Sequence, residues 1–191
     1  MLIFGTGPVK RPGMKARKTD IPHASLVRQF LPADYSDSFR YTHTGPGAFS
    51  ADDIQVSFWT DMPGWVDGLM NLRNTLVRPF GLKTEQDGAA NDLKRCIREG
   101  GSFGFASVPA KSPDETVLLL SDKHLDAWLS VLVERSGETA AVTASTVVRF
   151  HNRLGRVYFF FIRPFHDIIV RKMLVRAVKK VSAQKQATCP K

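Results

Sequence analysis

The stretch HNRLGRVYFFFIRPFHDIIVRKMLVRAVKKV, residues 151–181, is the longest run of the chain with helical patterning. On a 3.6-residue wheel Arg153, Arg156, Arg163, Asp167 and Arg171 share one narrow side. Leu154, Tyr158, Phe161, Phe165, Ile168 and Ile169 fall opposite, so a basic stripe backs a wide apolar face with aromatics at its centre. Helical throughout, the run is about 45 Å long. That is enough to cross most of a domain this size, and the rest of the fold is expected to grip it through the apolar face. Asn152 is a favoured N-cap residue. Pro164 removes a backbone donor inside the helix and predicts a kink.

Upstream of this run the period changes to two. Phe103–Val108, Thr116–Leu120, Leu125–Glu134 and Thr139–Arg149 read as strands, with Ser136-Gly137 as a hairpin turn. Their short links imply antiparallel pairing. Tyr35–Thr44 reads as the first strand, ended by Gly45-Pro46-Gly47. Ser50 lies three residues before Asp53, which approximates a capping box and opens a helix over Ala51–Thr60. Trp65, Leu69, Leu72 and Leu76 recur at helical spacing and predict a second helix from Pro63 to about Arg78. Residues 83–101 read as a loop with one short turn of helix near Leu93–Arg98.

The order is strand, two helices, antiparallel strands, long terminal helix. It predicts an α+β domain in which a curved antiparallel sheet of about five or more strands wraps the terminal helix. A cavity is expected between sheet and helix where side chains leave a gap. The domain is expected over residues 19–181. A flexible basic arm precedes it over 1–18, with Met14 as an alternative start, and a polar tail follows over 182–191.

The 191 residues carry a formal charge of +9. That excess points to an anionic partner, whether nucleic acid, a membrane surface or an acidic small molecule, although part of it sits in the two ends of the chain. The two cysteines, Cys96 and Cys189, make neither a disulfide framework nor a zinc set, which fits a reducing, cytoplasmic setting. The apolar part of 157–170 is interrupted by Arg163, Pro164, His166 and Asp167, too short and too charged for a span. No CxxC, P-loop, G-x-G-x-x-G or helical zinc-pair histidine spacing occurs, so no metal or cofactor is expected. Nucleic acid is not expected either, because the rings that interleave with basic residues are needed for the core.

Four segments carry a family resemblance: LPADYSDSF, PGWVDGLMNLRNTLVRPFGLK, SDKHLDAWLSV and VVRFHNRLGRVYFFFIRPFHDIIVRKML. Together they resemble domain of unknown function 2867, a largely bacterial family, over about residues 20–178. The layout also resembles the wider helix-grip group of START-type lipid-transfer domains, birch-pollen allergens and polyketide cyclases (SRPBCC). The resemblance implies a helix-grip domain and no particular activity. Seven strands are usual in that wider group, against about five read here.

Three constellations could carry chemistry. Asp122, His124 and Asp126 share one face of a strand start, where a carboxylate beside an imidazole would make His124 and Asp126 a general acid–base pair. Arg149, His151 and Arg153 cluster at the exit of the last strand, with Arg156 a turn later, and could hold a carboxylate or phosphate. Tyr158, Phe161, Phe165 and His166 on the terminal helix would line a cavity. The first functional expectation is therefore a carrier for a hydrophobic small molecule or lipid with an anionic group. The second is a cyclase, dehydratase or isomerase working through His124 and Asp126. The third is a peripheral membrane or protein-interaction module driven by the basic stripe.

Overall fold

The computed structural model describes residues 15–45, 49–66, 68 and 89–188. Strand β1 spans Arg17–Lys18, β2 Tyr35–Thr44, β3 Gly101–Phe103, β4 Ala106–Lys111, β5 Glu115–Ser121, β6 Leu125–Ser136 and β7 Thr139–Phe150. Helix α1 spans Ala51–Thr60, α2 Ala89–Glu99 and α3, the terminal helix, Arg153–Thr188. A short 3-10 helix occupies Leu26–Phe30. The strands form one curved antiparallel sheet in the order β1-β2-β7-β6-β5-β4-β3, with α3 laid against it in a helix-grip arrangement.

The local signals explain most of these boundaries. Ser50 accepts from the amide of Asp53 and the Asp53 carboxylate accepts from the amide of Ser50, each at 3.1 Å, so the capping box is complete. Asn152 caps α3 by accepting from the amide of Gly155 at 3.1 Å. Gly137, at φ +55°, makes the two-residue turn between β6 and β7.

Three readings need correction. The stretch Phe103–Val108 is not one strand: Gly104, at φ +57°, turns the chain so that Phe103 pairs with Ala106 across a hairpin. Arg17 and Lys18, read as part of a loose arm, pair with Arg40 and Phe39 at the sheet edge. These two differences turn five expected strands into seven. Residues 182–188, read as tail, continue α3, and Ser182 is buried. The helix expected from Pro63 to about Arg78 lies mostly outside the described residues, although 64–66 are helical.

Both faces of the central strands are covered. On one, Phe39, Tyr41, Val131, Val133, Val142 and Ala144 meet Ile54 and Phe58 of α1 and Val170, Met173, Leu174, Ala177, Val178 and Val181 of α3. On the other, Val117, Trp128 and Val147 lie under Val27 of the 3-10 segment, and Phe30 stacks on Trp128 at 4.9 Å. That second cover is tied down by Glu115, which is buried and accepts from Ser25 Oγ at 2.5 Å, from the Leu26 amide at 2.6 Å and from Ser130 Oγ. Three donors replace the water that this carboxylate loses.

The terminal helix lies where it was expected, but the first half turns a different side to the sheet. Phe161 is 63% exposed and Phe165 45% exposed, so the side chains expected to line an interior face outward instead. Phe159, Val170, Leu174, Ala177 and Val181 face the sheet. The apolar sides read from the two halves of the helix differ by roughly 150° at 3.6 residues per turn. The second half settles the phase, because its row from Val170 to Val181 is the only apolar side it has. A continuous helix must then carry that phase through 157–168, where apolar residues occur nearly all round.

Candidate functional site

The start of α3 brings the first two predicted constellations together, in a different pairing. Asp126 accepts from Ser121 Oγ at 2.6 Å and meets His151 Nε2 at 3.0 Å. His124 turns to the cap instead: its Nδ1 lies 3.0–3.2 Å from the side-chain amide of Asn152. Its carbonyl accepts from the His151 amide at 2.9 Å. A Cβ on Gly155 would stand 2.2 Å from that same carbonyl, so only glycine lets the turn approach the helix this closely. The expected His124–Asp126 pair is therefore replaced by Asp126–His151. The reason is geometric, since β6 and β7 put Asp126 opposite Arg149 and His151 one step beyond on the same face.

Arg149 anchors the N-terminal cover. Its guanidinium lies 5.4 Å from the Trp128 ring centre and donates to the carbonyls of Phe30 at 3.3 Å and Pro32 at 3.5 Å. Arg156 meets Asp34 at 3.2 Å. Arg153 is exposed and Tyr158 is half-buried.

His166 belongs to a group that sequence reasoning missed. Asp37, with its side chain fully buried, meets His166 Nε2 at 3.2 Å and accepts from Tyr35 Oη at 2.6 Å. Burial alone would raise the Asp37 carboxyl. The hydrogen bond and charge of His166, with the hydroxyls of Tyr35 and Thr146, outweigh it and hold the carboxyl below its ordinary range. The Tyr35 phenol is pushed up by burial and by the Asp37 carboxylate. Phe159 packs on Tyr35 at 4.6 Å and on Phe150 at 5.5 Å, closing the group off on that side. The available signal was Asp37 sitting in register with Phe39 and Tyr41 on the core face of β2. A carboxylate there needs a partner from whatever covers the sheet.

A cleft lies between α1, α3 and the sheet, lined by Gln55, Trp59, Leu129, Ser130, Thr146 and Val170 among others. Its interior volume is about 10 Å³, room for one water. Gln55 donates to the Leu129 carbonyl at 3.3 Å, and the buried Trp59 Nε1 has no hydrogen-bond partner among the described residues. None of the predicted site residues borders this cleft.

The outward side of α3 is the other distinctive feature. Val157, Phe161, Phe165 and Ile168 follow one another along it, all exposed, with Phe160 beside them at 74% exposure. Over its length α3 carries nine Lys and Arg against one acid, Asp167. Among the described residues no helix is long and apolar enough to cross a membrane, and no cluster of side chains is arranged to hold a metal ion.

A curved antiparallel sheet gripping one long helix defines the class: a helix-grip-like α+β domain. The chain belongs to the family described as protein of unknown function (DUF2867), whose model matches residues 30–173. The match takes in the Tyr35–Asp37–His166 group and the outward row of α3. No curated protein and no solved structure matches the chain.

Proposed function

We propose that the protein is a non-catalytic binding module that docks through the outward side of its terminal helix. The observation that carries this reading is the exposed row Val157, Phe161, Phe165 and Ile168, with Phe160 alongside. Single exposed apolar side chains are ordinary, but four in a row on one side of one element, with Phe160 on the neighbouring basic side, mark a surface that something covers. The surrounding cations give that surface a preference for anionic character in its partner.

The two interior readings have less support. A carrier for a hydrophobic small molecule needs several hundred Å³ of enclosed space, against about 10 Å³ in the cleft, so a ligand could enter this cleft only if α1 and α3 separated. Arg149 is engaged with Trp128 and two carbonyls, whereas Arg153 is exposed and has no carboxylate partner among the described residues. An acid–base enzyme needs His124 and Asp126 acting on one substrate, and each is bonded to a different neighbour.

Fractionation of a cell extract tests the docking reading without knowing the partner. The wild-type chain should co-sediment with membranes or large assemblies. Phe161→Ser/Phe165→Ser should stay in the supernatant with an unchanged melting temperature, since neither ring is part of the core. Equal distribution of the two proteins contradicts the reading.

A further inference from the structure

We infer that the partner of this outward surface is an anionic lipid bilayer, a step that rests on the docking reading above. From Val157 to Ile168 the apolar row runs about 16 Å along the axis. Cations close it at both ends: Arg153 and Arg156 before it, Lys172, Arg176 and Lys179 after it. Arg153, Lys172 and Lys179 have no carboxylate partner among the described residues. Lys172 sits instead 5.0 Å from the ring centre of Trp65, an indole that is itself 40% exposed.

This combination selects among the occupants such a surface can have. A second copy of the chain laid on the same face would set one basic helix against another, each with nine cations and one acid. Phosphates of a bilayer would neutralise those charges instead. The row is also the crest of a rod, not a groove. Rings standing out from a convex surface, with Lys and Arg at their edges, can enter the headgroup region while the cations stay at phosphate level. Trp65 beside Lys172 adds the kind of side chain that settles at that boundary. With no helix among the described residues long and apolar enough to cross, α3 would lie in the plane of the surface.

The test uses the full chain and vesicles of phosphatidylcholine with and without phosphatidylserine, read by flotation. The chain should bind the mixed vesicles, bind phosphatidylcholine alone much more weakly, and lose affinity as salt rises. Phe161→Ser/Phe165→Ser should weaken binding about tenfold or more. Arg153→Gln, Lys172→Gln and Lys179→Gln should each cost about fivefold, on the mixed vesicles only. Failure to bind mixed vesicles, or equal binding to both kinds, overturns the inference. If the paired Phe substitutions instead dissolve a self-association seen in sedimentation velocity, the bilayer is wrong and the docking surface stands. If they alter neither vesicle binding nor self-association nor sedimentation from extract, both readings fail.

Discussion

The two halves of the terminal helix have similar stocks of apolar side chains and meet opposite fates. From Val170 to Val181 every third or fourth residue enters the main core, and Leu174 is 0% exposed. From Val157 to Ile168 only Phe159 is buried outright, and Phe160, Phe161 and Phe165 stand in solvent. Hydrophobicity therefore does not decide which residues are inside. Phase decides it, and phase is inherited along a continuous helix from the half that has only one apolar side. The first half is held by polar contacts instead: Asn152 at its cap, Arg156 on Asp34 and His166 on Asp37. An element fixed mainly by polar anchors can keep its apolar side available.

Substitutions that separate polar anchoring from apolar packing break or sharpen this contrast. The largest effect is expected from Asp37→Asn, which leaves His166 without its buried partner and should cost about 4 kcal/mol in chemical denaturation. Its signature is the pH dependence. The native Asp37 carboxyl is held below its ordinary value, so its stabilisation is full above the unfolded value near ~3.9 and is lost as pH falls through the lower native one. Wild type should therefore lose more stability than Asp37→Asn between about pH 6 and pH 2. Parallel losses would show that the pair does not hold the first half.

Next, Leu174→Ala should cost about 3 kcal/mol by opening a hole in the core, whereas Phe161→Ala should stay within about 0.5 kcal/mol. Comparable costs at the two positions would mean that Phe161 is packed after all. Gly155→Ala should cost about 1–3 kcal/mol, because its methyl group must push the His124 carbonyl away from the helix start. The amide of His151, which donates to that carbonyl, should then exchange faster with solvent.

Much of the architecture was legible because its signals are local. The Asn152 cap, the Ser50–Asp53 box and the Ser136-Gly137 turn need only neighbouring residues to be read. Two strands were missed for equally local reasons: Arg17–Lys18 is too short to show a period, and Gly104 bends a run that otherwise alternates. The helix phase could not be read from 151–169 alone, since apolar side chains point in almost every direction there. The candidate site was less legible still. His124 and Asp126 stood out because they are close in sequence, yet their partners, Asn152 and His151, come from the far end of a strand pair. Asp37 and His166 lie 129 residues apart, and only the docking of helix on sheet unites them.

Thiol labelling at position 161 tests the central claim most directly. In a Cys189→Ser background, with Cys96 buried, Phe161→Cys should react with a water-soluble maleimide nearly as fast as an unfolded control. It should become protected when phosphatidylserine-containing vesicles are added, while Leu174→Cys stays unreactive in both conditions. A slow reaction at 161 without vesicles would contradict an outward-facing row, and unchanged reactivity with them would contradict its use as the docking surface.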